Sequence, residues 1–206
     1  VDFINYWLYT FTATCLLCLV EPFVAIWLGQ DFVLTKAILI LAVAIYYFKG
    51  INSGIDIAKN AAGLYYPDRF IPMAEAIANM VISIVLAKRY GIAGVLFGTL
   101  VSFLALSFWA KPYFVCRDVF EVSFARYAVR EGREIVVSVL VAAGTWYAVS
   151  LVSLENVLLS FGVKALLALA LSNGLLLLVY FKTSEFQYLR GLLESAANRI
   201  GKREKA

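Results

Sequence analysis

Two short rows of polar side chains interrupt an otherwise apolar chain. Glu75, Asn79 and Ser83 recur at every fourth residue, which on a helix stacks a carboxylate, an amide and a hydroxyl on one face. Asn52, Asp56 and Asn60 repeat the arrangement earlier in the chain, flanked by Lys49 and Lys59. A carboxylate held inside an oily helix has two uses. It either joins a polar seam that hydrogen-bonds a neighbouring helix, or it faces a wet cavity, where it couples to an ion or touches a substrate. The Asn52 row admits a similar pair of readings, as the solvated end of a long helix or as the lining of a cytoplasmic mouth. Catalysis finds little footing. The chain has no histidine, and no Ser or Cys stands beside an evident base. Cys15, Cys18 and Cys116 form no metal-ligand spacing and read as small apolar residues rather than as a disulfide pair. The sequence therefore designates no catalytic, metal-binding or cofactor-binding residue and is not expected to be an enzyme.

The elements that position these rows follow from composition. The chain is 63% hydrophobic, with a mean hydropathy of +0.84. An ordinary soluble domain is about 45–50% apolar. Charges are few and clustered, so the expected fold class is all-α, a polytopic transmembrane helical bundle in contact with the lipid bilayer. Crossing a bilayer core takes about 20 helical residues. Six stretches meet that need, near 3–20, 34–54, 70–87, 92–109, 135–154 and 164–181. Glu21-Pro22 is expected to end the first, and Trp7 and Trp27 to anchor it at the interfaces. A basic tail, 183–206, follows the last.

Fourteen of the eighteen Lys and Arg residues fall in the second-to-third connection, the fourth-to-fifth connection and the tail. Those are alternate connections of a six-span chain. The positive-inside bias puts them, and both chain ends, in the cytoplasm. The net charge of +4 is thus read as membrane orientation rather than nucleic-acid binding. The basic connection 117–133 is read either as an interfacial helix on anionic lipid or as an orienting loop.

Helix packing is legible at several points. Gly94, Gly98 and Ser102 form a small-residue stripe on the fourth span, which lets a neighbouring helix approach closely. Lys88-Arg89-Tyr90-Gly91 makes a tight turn between the third and fourth spans. Thr10, Thr14 and Cys18 share a face of the first span, and Asn173 sits mid-way along the sixth, all in the manner of helix-packing residues. Val1 runs almost directly into an apolar segment, so the chain is expected to be the later part of a longer protein.

The run GLYYPDRFIPMAEAIANMVISIVLAKRYGIAGVLFGTLVSF, followed by Lys111-Pro112 and Cys116-Arg117-Asp118-Val119-Phe120, resembles the C-terminal half of bacterial polysaccharide flippases. These are the O-antigen and teichoic-acid type members of the multidrug/oligosaccharidyl-lipid/polysaccharide exporter superfamily. Ala78-Asn79, Lys88-Arg89-Tyr90-Gly91, Gly94, Gly98-Thr99 and Ser102 match the family pattern, and Glu21-Pro22-Phe23 together with Ile26 to Phe32 looks like its external segment between two spans. The resemblance covers the first 120 residues well and the remainder by topology. It implies one lobe of a two-lobe exporter, a bacterial cytoplasmic membrane, and a missing N-terminal lobe as partner. The implied substrate is a polyprenyl-pyrophosphate-linked saccharide moved outward by alternating access. Glu75, Asn79, Ser83, Asn52 and Asp56 are then candidates for the transport cavity. A drug or small-cation antiporter of the same superfamily is the alternative, with Glu75 as coupling residue. A membrane-embedded polysaccharide-assembly enzyme and a non-transporting scaffold are the remaining readings.

Overall fold

The computed structural model describes residues 2–64, 69–152, 156–181, 183, 186, 187 and 191. Seven α-helices are found there: α1 Asp2–Trp27, α2 Lys36–Ala61, α3 Ile71–Tyr90, α4 Ile92–Ala105, α5 Ser107–Asp118, α6 Phe124–Ser150 and α7 Val157–Tyr180. A short 3₁₀ turn, Gln30–Phe32, links α1 to α2. No strand occurs among the described residues, and the fold is an all-α bundle. The Tyr65–Asp68 part of the expected interfacial connection and most of the basic tail lie outside the described residues.

Among the described residues, five helical segments are long and apolar enough to cross a membrane: Phe3–Trp27, Lys36–Ala61, Ile71–Asp118, Phe124–Ser150 and Val157–Tyr180. The chain is a multi-pass membrane protein. The third segment, 48 residues long, doubles back at Gly91. This is the hairpin expected from the third and fourth spans. Gly91 caps both arms at φ 58°, ψ −134°, a conformation that glycine adopts without a Cβ penalty. Its second arm bends at Leu106, where α4 ends and α5 begins.

Helix ends depart from the hydropathy reading in instructive ways. Helix α1 continues through Glu21-Pro22 to Trp27. Pro22 deletes one bond, to the carbonyl one turn back, and a helix buried among others tolerates that loss. Helix α6 begins at Phe124 rather than near Ile135, so the second half of the basic connection is neither a loop nor a separate interfacial helix. It is the first turns of a membrane-length helix.

Helix α1 is the hub, packing against α2, α6 and α7. Thr12 Oγ1 meets the Tyr46 hydroxyl at 2.9 Å, and Gly50 lies against the Tyr9 ring, so α1 and α2 are antiparallel. Thr10 pairs with Ser138, and Cys18 clusters with Val149, so α1 and α6 are parallel. Phe3 packs on Tyr180 while Cys18 clusters with Ala168, so α7 runs back down. Buried Ala168, Ser172, Leu176 and Tyr180 recur every four residues and form the seam of α7. Asn156 caps α7, its Oδ1 accepting from the Leu158 and Leu159 amides at 3.1 and 3.2 Å. This alternation places the α1 start, residues 62–64, residues 69–70 and residues 119–123 at one end of the bundle. Gly91, the 3₁₀ turn, residues 151–152 and Asn156 lie at the other.

Candidate functional site: two polar seams in an apolar bundle

The α3–α4 crossing is set by the small-residue stripe. Gly94, Gly98 and Ser102 are all buried. A Cβ on Gly94 would strike the backbone carbonyl of Leu86, and one on Gly98 would sit 2.6 Å from Ser83 Oγ and 2.9 Å from Ser83 N. The two helices touch backbone to backbone, as small-residue interfaces in lipid require. Asn79 and Ser83 serve this contact. Ser83 Oγ donates to Asn79 Oδ1 at 2.8 Å, and Thr99 Oγ1 donates to the same oxygen at 3.2 Å. Both side chains are only half-buried and are occupied with the hairpin's own hydrogen bonds.

Glu75 leaves that company. Its Oε2 accepts from Ser107 Oγ, at the first residue of α5. One turn later on α5, Lys111 Nζ pairs with Asp56 of α2, 2.9 Å to Oδ1 and 3.2 Å to Oδ2. The two rows singled out from sequence are therefore drawn to one short helix, at Ser107 and Lys111. Asn52 lies between these ties. Phe48 stacks edge-on against Phe108 one turn before it, and Asp56 binds Lys111 one turn after it. Asn52 is 2% exposed, and neither its amide oxygen nor its nitrogen has a hydrogen-bond partner. Asn60 is exposed, so the helix end is solvated there and not at Asn52.

Ser107 is fully buried, which makes its acceptor matter. Glu75→Leu should leave that hydroxyl without its carboxylate partner and lower stability by about 1–3 kcal/mol. Glu75→Gln keeps an acceptor oxygen and should cost well under half as much. Thermal unfolding of the two purified variants checks the ordering, and equal losses would remove the Ser107 contact from the account.

A second seam joins α1, α2 and α6. The buried face of α6 carries Glu131, Glu134, Ser138, Val141, Thr145 and Val149. Thr10 Oγ1 and Ser138 Oγ are 2.6 Å apart, and both are buried. The Tyr47 hydroxyl of α2 is buried beside this pair without a hydrogen-bond partner. The Tyr6 hydroxyl, on the side of Glu131, is buried without a hydrogen-bond partner. Glu134 accepts from Arg133 Nη2 at 2.9 Å through Oε1, while its buried Oε2 has no partner. Thr14 is fully buried and returns its hydroxyl to Thr10 O at 2.7 Å. Sequence reasoning missed Glu131 and Glu134, because the neighbouring arginines marked them as a cytoplasmic connection. Their alternating spacing of three and four residues with Ser138, Val141 and Thr145 is the signal that finds them.

This seam opens into a cavity of about 360 Å³ between α1, α2 and α6. Thr10, Tyr47 and Ser138 form its polar floor, Val43 and Phe48 stand in its apolar wall, and Glu21, Lys36 and Trp146 line it toward the α1 C-terminus. Lys36 Nζ lies 6.0 Å from the centre of the Trp146 ring. A larger, shallow depression of about 640 Å³ along α7, lined from Ala170 to Phe181, has only apolar residues and suits contact with lipid. Asn173 is occupied in packing, accepting from Trp7 Nε1 at 3.1 Å, and the three cysteines form no disulfide. Among the described residues no group of three or more His, Cys, Asp or Glu is placed to hold a metal ion.

Comparison with protein-family models, with curated proteins and with solved structures found no match to this chain.

Proposed function

We propose that the chain is the C-terminal lobe of an exporter in a bacterial cytoplasmic membrane, moving polyprenyl-pyrophosphate-linked saccharides outward by alternating access, without covalent chemistry. The observation that carries transport is the α1–α2–α6 seam, a line of buried acids and hydroxyls in an apolar bundle that ends at a cavity. Ionisable groups buried in membrane helices are costly and characteristically mark substrate or ion pathways. The substrate class rests on the resemblance of residues 63–120 to polysaccharide flippases. At about 360 Å³ the cavity is near the lower end of ordinary ligand pockets, so a saccharide would be held between this lobe and the partner lobe that the resemblance implies. Glu75 and Asp56, tied to α5 through Ser107 and Lys111, and the unpartnered Asn52 between them are the residues of the first seam proposed to respond as the lobes rock.

A second reading, a drug or small-cation antiporter, draws support from Glu131 and Glu134 together with the aromatic rings of Tyr47, Phe48 and Trp146 around the cavity. Deleting the encoding gene in its source organism separates the two. A flippase predicts lipid-linked oligosaccharide accumulating on the cytoplasmic face and polysaccharide lost from the surface, both restored by the intact gene. Normal polysaccharide with altered drug sensitivity would reject the flippase and support the antiporter.

A further inference from the structure

The cavity between α1, α2 and α6 is a slot with an open side. Helices α2 and α6 each pack on α1 but not extensively on one another, so α1 forms the back wall and the gap between α2 and α6 opens sideways. Ile40 and Val139, on those two helices, line the slot and are themselves exposed, so its open side faces lipid. Ala13, Ala44, Ala142 and Ala143 supply the width, since none carries a side chain beyond Cβ. Depth follows from the helices. Thr10 at the floor and Glu21 at the mouth are eleven residues apart on α1, as are Tyr47 and Lys36 on α2, about 16 Å in each case. Half of a bilayer's hydrocarbon core is about 15 Å. The slot therefore runs one leaflet deep, from the interface near the α1 C-terminus to the middle of the bilayer. Charge is confined to its mouth. Glu21 and Lys36 stand there, and neither meets an oppositely charged side chain among the described residues. Lys36 lies instead over the ring of Trp146, a residue type of membrane interfaces. At the floor Thr10 and Ser138 bond each other, while the Tyr47 hydroxyl, on a residue 7% exposed, has no protein partner.

We propose that this slot binds one phospholipid with an ethanolamine headgroup, taken from the adjoining leaflet, its acyl chain lying in the slot, its phosphate on Lys36 and its ammonium on Glu21. An acyl chain is one leaflet long and asks no hydrogen bond of the walls, which matches the depth and the apolar lining. The mouth selects the head. Lys36 supplies a point charge for the phosphate, and Glu21 accepts from a primary ammonium. A choline head carries no N–H to donate to Glu21, and a glycerol head brings no positive charge. The chain end offers nothing to Tyr47, so a water shared with the Thr10–Ser138 pair is the expected partner of that hydroxyl. Seated in this way, the lipid seals the buried hydroxyls from the interface at the α1 C-terminus. Its departure opens them to that side.

The test extracts the full-length protein from vesicles of phosphatidylethanolamine, phosphatidylcholine and phosphatidylglycerol in equal parts and reads the retained lipid by native mass spectrometry. One phosphatidylethanolamine per chain is expected, retained several-fold over the other two. Glu21→Gln should abolish that preference, and Lys36→Gln should lower retention of all three several-fold. Ala143→Phe, which fills the slot, should empty it, and Tyr47→Phe should leave retention unchanged. Should Ala143→Phe not fold, the variants at Glu21 and Lys36, both exposed, decide. Retention of all three lipids alike, indifferent to Glu21 and Lys36, would mark adventitious surface lipid only and overturn the proposal. Loss of binding in Tyr47→Phe would overturn it too, since the occupant would then carry a polar group at the floor. The readout involves no saccharide, so failure of the flippase reading leaves this result standing, and the reverse.

Discussion

Gly98→Val is expected to disrupt the α3–α4 hairpin and, of the substitutions considered, to destabilise the bundle most. The first added carbon already lies 2.6 Å from Ser83 Oγ and 2.9 Å from Ser83 N. A side chain could turn aside, but a helix backbone cannot do so without carrying its neighbours with it. Over-packed sites usually cost about 1–3 kcal/mol, and a clash against backbone should fall at or beyond the upper end. Ser83 Oγ also donates across the crossing to Val95 O at 3.3 Å, so its displacement weakens that tie between the helices. Thermal unfolding of the purified protein is the measurement. Gly162→Ala, on α7 with nothing within 4 Å of the new carbon, should leave stability equal or slightly raised. Gly98→Ala combined with Ser83→Ala should recover only part of the single variant's loss, because the contact with the Ser83 amide remains. Full recovery would mean that the helices are not locked backbone to backbone.

That crossing was legible because it depends on a local pattern. Glycines spaced by four imply a close neighbour, and the turn at Lys88-Arg89-Tyr90-Gly91 supplies the neighbour within the same hairpin. The all-helical bundle was legible for a similar reason, since runs of apolar residues long enough to span a bilayer admit few other structures. What sequence could not give was partnership between distant helices. Glu75, Asn79 and Ser83 share a face of α3, yet Asn79 and Ser83 bond within the hairpin while Glu75 reaches Ser107. Asn52 and Asp56 share a face of α2, yet one is buried without a partner and the other is paired with Lys111.

The acids of α6 escaped for a different reason. Arg126, Arg130 and Arg133 are interspersed with Glu131 and Glu134, and charge density alone placed the whole stretch outside the membrane. A helix can carry cations on its outer face and carboxylates on its inner face through the same two turns. Only the periodicity separates the faces, and a boundary drawn at Ile135 discards it. Pro22 misled in the opposite direction, since a residue that breaks helices in water was absorbed within α1.

Tyr90→Cys is expected to react with an impermeant maleimide on intact cells, and Glu121→Cys is not. Both positions are exposed, Tyr90 at the turn between α3 and α4 and Glu121 between α5 and α6, at opposite ends of the bundle. Neither substitution removes a lysine or arginine, so the charge pattern held to orient the chain is untouched. Alanine at Cys15, Cys18 and Cys116 would clear the background. In inverted vesicles the two results should exchange, with Glu121→Cys labelled and Tyr90→Cys silent. The outcome is all or none, because one end of a spanning bundle faces the reagent and the other does not. It also fixes the direction of the polar seam. With Glu121 inside, the carboxylates of Glu131 and Glu134 sit toward the cytoplasm, and the cavity lined by Glu21, Lys36 and Trp146 lies toward the exterior. Labelling of Glu121→Cys on intact cells would invert that placement, with the carboxylates toward the exterior and the cavity mouth toward the cytoplasm.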